Sequence, residues 1–193
     1  MKLKPMLATT LLGLSLSAPA WAHTYVFDVI LSGLAESPPN ASPGSGVATV
    51  TFDMDLATLR LQTSFSGLTG TTTAAHIHCC TAAANAGNAG VATTTPSFPG
   101  FPTGVSAGSY DHTFDLTQAS SYNAAFVTAQ GGVANAMNAL LAGAQNGKAY
   151  LNLHSNTFPG GEIRGFLQAV PEPSSYGLMG LGLALLAWRL RRA

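Results

Sequence analysis

Apolar side chains in this sequence recur at every second position, and that period limits the fold more than any other feature. Tyr25, Phe27, Val29 and Leu31 alternate along one segment, Ala48, Val50, Phe52 and Met54 along a second, and Leu59, Leu61 and Phe65 along a third. Successive side chains of a strand point to opposite faces, so the pattern predicts strands with one face on a core. Asp53 and Asp55, in "FDMDLATLRL", mark a hairpin between the second and third segments. The runs "AESPPNASPGSG" and "TTTPSFPGFPTGVSAG" carry the proline and glycine of turns and crossovers. One stretch departs from the period of two: Val133, Met137, Leu140, Leu141 and Ala144 fall at helical spacing, with Asn146-Gly147 as a stop. The expectation is an all-β fold, an antiparallel Greek-key β-sandwich with one short crossover helix.

Both ends of the chain differ from this middle. Lys2 and Lys4 precede an apolar run from Met6 to Leu16, and Ala20-Trp21-Ala22 supplies the small-x-small pattern that a signal peptidase accepts. Residues 1–22 therefore read as a signal peptide, with His23 first in the mature chain. At the other end, Pro171-Glu172-Pro173 precedes an uncharged run from Ser174 to Trp188, closed by Arg189, Arg191 and Arg192. At about 1.5 Å per residue that run makes a helix of roughly 22 Å, short against a hydrocarbon core of about 30 Å. The arginines orient it with the tail inside, so it reads as a transmembrane helix that anchors the chain transiently in the inner membrane. The tail, residues 170–193, closely resembles the PEP-CTERM sorting signal. That resemblance implies recognition by the membrane protease exosortase, in a Gram-negative bacterium that makes exopolysaccharide, and delivery to the cell envelope or outside.

Residues 23–169 are enough for one domain with a sizeable core. Five of the eight basic residues lie in the end segments, leaving Arg60, Lys148 and Arg164 against Asp28, Glu36, Asp53, Asp55, Asp111, Asp115 and Glu162. A domain of net charge −4 does not hold a phosphate backbone, which argues against nucleic acid as a partner.

The residues most able to carry chemistry are the histidines of "TAAHIH" and "KAYLNLHSNTFPGGEIRGFL". Alternation sends His76 and His78 to one face and Ile77 to the core; in the later strand Leu151 and Leu153 take the core side and leave Tyr150, Asn152 and His154 opposite. If the two strands are neighbours, His76, His78 and His154 could meet one copper or zinc ion at about 2.0 to 2.1 Å per nitrogen. The alternative is that the rings only hydrogen-bond loop backbone. His112, on a strand with Tyr110 and Phe114, reads as a packing residue. Cleavage before His23 would leave an α-amine beside an imidazole, a pair that copper favours.

Cys79 and Cys80 are the only cysteines. Adjacent Cα atoms stand about 3.8 Å apart across a trans peptide, below the usual disulfide range of about 4.4 to 6.8 Å, so a bridge between them must distort its peptide. In an oxidising envelope the options are that vicinal bridge, an intermolecular bond, free thiols, or thiolate ligation beside the histidines. Redox catalysis lacks its Cys-x-x-Cys spacing. In the last hairpin Phe158-Pro159-Gly160-Gly161 forms the turn, and Glu162 and Arg164 share a face, where they could pair with each other or with a neighbour; an exposed pair would brace the hairpin for about 0 to 1 kcal/mol.

"TAAHIH" taken with the phrase His154, then Gly160, Gly161, Glu162, Ile163, Arg164 and Gly165, resembles the CHRD domain, first described in chordin. The resemblance spans most of His23 to Leu167 and implies an extracellular β-sandwich with no settled molecular activity. Glycine usually follows the histidine pair in that family, where this chain has Cys79-Cys80.

Three functions follow. The first is a non-enzymatic, exported module associated with the envelope or extracellular matrix, since no Gly-x-Ser-x-Gly elbow or acid pair beside a histidine is evident. The second is a copper- or zinc-binding protein, with redox activity open to it. The third is a polysaccharide-binding module, for which no exposed aromatic platform is identifiable in the sequence; Tyr150, Tyr122 and Tyr25 are the only tyrosines besides Tyr110 and the tail's Tyr176. Mass spectrometry of the exported protein is expected to find His23 at the N-terminus; a chain that keeps Met1 refutes the signal peptide. In a host with exosortase the tail is expected to be missing from the extracellular form, and recovery of full-length chain there refutes the transient anchor.

Overall fold

The computed structural model describes residues 23–171, with 180 and 189–191. The expected signal peptide and most of the sorting tail lie outside the described residues. Among those described, no helix is long and apolar enough to cross a membrane.

The chain forms β1 (Thr24–Ser32), β2 (Ser45–Asp53), β3 (Thr58–Ser66), β4 (Thr72–Cys79), β5 (Gly108–Asp115), α1 (Ala124–Gln130), α2 (Val133–Gln145), β6 (Ala149–Ser155), β7 (Ile163–Phe166) and β8 (Gln168–Ala169). The strand order is β4-β6-β7-β1-β2-β3-β5, with β8 beside β1, and every named pairing is antiparallel. The fold is all-β as expected, one sheet path curled into a half-barrel. β1, β2 and β3 form a meander; after it the chain moves to one edge for β4, to the other for β5, and back for β6. β1 meets β7 at a single register pair, Ser32↔Arg164.

The curl lets both halves of the sheet bury one face in the same core. Phe27, Val29, Leu31, Val50, Phe52, Leu59 and Leu61 come from the meander, and Ile77, Leu151, Leu153 and Ile163 from the other half. All but Ile163 are alternate positions read from the sequence. The hairpin also falls where expected, because the Asp53 carboxylate accepts from the amides of Asp55 and Leu56 and closes the turn.

Two details differ from expectation. Residues 23–171 contain two α-helices: α2 is the predicted one, and α1 precedes it, capped by the Asn123 side chain on the Ala125 amide and stopped at Gly131. α1 buries only Phe126, so seven residues leave no period to read. His112 is exposed on the outermost strand, its ring beside those of Tyr110 and Phe114 at 5.9 and 4.7 Å, instead of packed inside.

α2 crosses the sheet at the end of β4, where Cys79 and Cys80 are joined by a disulfide across a cis peptide. Gly143 is the helix residue facing the two sulfurs, and a Cβ there would fall well inside contact distance of both. At an exposed helix position Gly→Ala gains roughly 1 kcal/mol. Here overpacking costs about 1 to 3 kcal/mol, so Gly143→Ala is expected to lower the urea midpoint; a raised midpoint would show that the helix does not rest on the sulfurs.

Candidate metal centre

β4 and β6 are hydrogen-bonded neighbours, with Ala74 opposite His154, His76 opposite Asn152 and His78 opposite Tyr150. Strand alternation puts all three imidazoles on the face away from the core. That face is not open to solvent: the loop after β4 and the β6–β7 turn fold over it, and His76 and His78 are only 7% and 8% exposed.

The covering loops supply backbone carbonyls. His76 Nε2 lies 2.6 Å from the Pro96 carbonyl, His78 Nδ1 3.0 Å from that of Ala89, and His154 Nδ1 2.9 Å from that of Pro159. A carbonyl only accepts, so in each ring that nitrogen carries the proton and donates it. The other nitrogens, His76 Nδ1, His78 Nε2 and His154 Nε2, are bare lone pairs, buried and without a hydrogen-bond partner. The ligand atoms that the three residues offer lie within 4.8 Å of one another. Leaving a buried acceptor unpaired costs about 1 to 3 kcal/mol, and here the cost is incurred three times in one place.

Burial also keeps these rings neutral. It pushes the pKa of His78 down to about 4, opposed by the Ala89 carbonyl and helped by the other two rings and Arg164. Burial likewise lowers His76, against the Pro96 carbonyl and with the His154 charge adding to it, and lowers His154 against the Pro159 carbonyl. Protons therefore do not fill the gap at neutral pH. Three neutral nitrogens converging with their lone pairs inward, each oriented by a hydrogen bond on its far side, are the donor set of zinc and copper sites. Around a tetrahedral ion with bonds of about 2.05 Å the nitrogens would stand about 3.3 Å apart, inside the present limit of 4.8 Å, so the rings would have to close on an ion to hold it.

A second layer holds the rings from behind. Tyr150 stacks on His78 at 4.8 Å with planes 6° apart, and its hydroxyl meets both the amide and the carbonyl of Ala89. Arg164 lies over Tyr150 with its guanidinium carbon 4.6 Å from the ring centroid. It donates to the Ala35 carbonyl and to Asn88, and stands 3.8 Å from the Glu36 carboxylate. Burial raises the pKa of Glu36 to about 7, against the lowering effects of Arg164 and the Ser37 amide.

Of the two pairings open to them, Glu162 and Arg164 take neighbours and not each other, and they are not exposed as expected. Both residues are buried, and each has other partners. Glu162 accepts from the Ser42 hydroxyl at 2.6 Å and from the amides of Thr69 and Gly70. Burial raises its pKa, but hydrogen bonds from Ser155, Ser42, Thr69 and Gly70 outweigh that and hold it below the usual carboxylate range. In the same phrase, Gly161 takes φ +133° at the turn, Ile163 fills the core and Gly165 pairs with Leu151. The phrase thus ties β7 to three loops and places Arg164 behind the histidines.

Cys79 alternates with His78 and so points to the core; its sulfur is bonded to Cys80, and neither belongs to the imidazole cluster. Tyr150 and Tyr122 are buried, which removes them as a glycan platform and leaves Tyr25 half-exposed. Sequence reasoning missed Pro96, Ala89 and Pro159, which contribute only backbone oxygen and leave no signal in residue type. It also missed Glu36 and Asn88, distant in sequence from the histidines.

The family model of the CHRD domain matches residues 27–167, and that of the PEP-CTERM protein-sorting motif matches residues 169–192. No curated protein and no solved structure matches the chain. The sorting motif marks a protein that exosortase processes on its way to the cell envelope. With the first model covering the half-barrel except for the first three residues of β1 and all of β8, and including both histidine strands and the closing phrase, the chain belongs to the CHRD domain family.

Proposed function

We propose that this exported CHRD protein is a non-enzymatic module that holds one copper or zinc ion on His76, His78 and His154 in the envelope of an exopolysaccharide-producing bacterium. One observation carries the reading: three buried imidazole lone pairs converge, and each ring's only proton is committed to a carbonyl on the opposite side. A site built merely to stiffen a sheet edge would aim those nitrogens at donors. Burial of all three lone pairs favours a closed, structural centre over one with a freely exchanging water. The borderline nitrogen donors suit zinc and copper and disfavour magnesium or calcium.

The purified exported chain is expected to contain zinc or copper by elemental analysis, and its Tm is expected to rise when either ion is added, by mass action. His76→Ala and His154→Ala should each remove that gain, while His112→Ala should keep it. Absence of both metals, with a Tm indifferent to both ions at neutral pH, refutes the proposal.

The pH dependence has a defined sign. Protonation competes with metal, but burial moves the folded histidine pKa values below the usual 6.5, so metal should still bind at pH 6. Its affinity should fall as the pH approaches 4, where His78 takes a proton. The unfolded chain takes up protons near 6.5 while the folded one does not. The metal-free protein should therefore lose stability from about pH 6.5 downwards, with His78 contributing a slope of about 1.4 kcal/mol per pH unit until the pH nears 4. Urea titrations at stepped pH measure this slope; a flat profile between pH 6.5 and 4.5 would show that the rings are not held neutral.

A further inference from the structure

A second metal-binding geometry stands at the start of the domain, remote from the three histidines in the sequence. His23 precedes β1, and its carbonyl accepts from the Met54 amide, which fixes it against the β2–β3 hairpin. Its backbone nitrogen is 3.1 Å from Asp55 Oδ2, and its ring Nδ1 is 3.1 Å from Asp55 Oδ1. The two nitrogens of one residue therefore face the two oxygens of one carboxylate. The hairpin holds Asp55 in place, because the Asp55 amide donates to Asp53.

Nδ1, not Nε2, is the ring nitrogen that forms a compact chelate with a backbone nitrogen of the same residue. It is also the one turned to the shared carboxylate. While His23 follows Ala22 in an intact chain, its backbone nitrogen is an amide and a poor ligand. Cleavage of the signal peptide after Ala22 converts it to a primary amine, a good one. Cis donors around a copper ion with bonds of about 2.0 Å stand about 2.8 Å apart, close to the separations already present. The hairpin and its carboxylate are in position beforehand, so export itself would complete the site.

We propose that the mature N-terminus binds copper(II) through the α-amine and Nδ1 of His23, with the carboxylate of Asp55 as a further ligand. The site is independent of the centre on β4 and β6. Copper(II) is the ion that an amine–imidazole pair selects, being highest in the divalent series and suited to tetragonal nitrogen and oxygen donors.

The test uses the chain exported and processed by its host, with the N-terminus verified by mass, and carries His154→Ala to silence the other centre. Copper(II) alone is the probe, measured by competition with a chelator and by its electron paramagnetic resonance spectrum. One copper per chain with nitrogen coupling is expected. Inserting Gly-Ser-Gly-Ser between Ala22 and His23 keeps the imidazole and Asp55 but blocks the amine, and should weaken binding roughly 100-fold, the order of magnitude by which linked donors exceed single ones. Asp55→Asn should weaken it about tenfold, the scale of a lost supporting ligand. If His154→Ala does not fold, the same comparison is made on the native chain with its histidine centre preloaded with zinc. Equal copper affinity with and without the insertion overturns the proposal, as does a processed N-terminus other than His23. Survival of this site in a chain whose β4–β6 histidines bind nothing would refute the proposed function and leave this inference standing.

Discussion

The pairing of β4 with β6 determines most of what this molecule can do. It places Ile77 against Leu151 in one layer and the three imidazoles in the opposite layer, using nothing beyond the two-residue repeat of a strand. A slip of one residue would turn the histidines into the core and Ile77 into the loops. The register is thus enforced by hydrophobic burial, and the candidate centre inherits its geometry from that. The crossovers that send β4 and β5 to opposite edges also supply the loop whose carbonyls lock two of the rings.

This arrangement makes one sheet do two jobs with different chemistry. Its concave side is a conventional apolar core. Its other side near β6 is a buried polar layer, in which Tyr150, Asn152 and Arg164 are nearly fully buried beside the histidines. Among the described residues, the buried polar side-chain atoms without partners are Glu36 Oε1, Asn152 Oδ1 and the three ring nitrogens. All five accept hydrogen bonds when their residues are in the ordinary neutral or carboxylate form, and four belong to β4 and β6. A concentration of unpartnered acceptors is an environment that attracts positive charge, and the Arg164 guanidinium already lies in that layer.

Much of this was legible in the sequence, because burial and alternation leave a pattern in residue type. The strands of the meander, the hairpin at Asp53, the helix from Val133 and the common face of His76, His78 and His154 all follow from periods of two or of three to four. What could not be read is what depends on backbone oxygen or on distant segments. Pro96, Ala89 and Pro159 act through carbonyls that any residue would provide. Glu36 reaches Arg164 because the single 3₁₀ turn after β1, Gly33–Ala35, brings it there. Arg164 looked like a surface charge because sequence shows its formal charge and not the rings stacked beneath it. Exposure was misjudged for the same reason at His112, whose strand turned out to be the sheet's edge.

The contact between Gly143 and the two sulfurs ties together positions that are 63 residues apart for Cys80 and 64 for Cys79. The bulk that one site presents is the bulk that the other must lack. A member of the family with glycine after its histidine pair has no sulfur under the helix, so the matching helix position is released to carry a side chain and fill the space. Across such chains the two positions should vary as a pair, with volume passing from one to the other while their sum stays nearly constant.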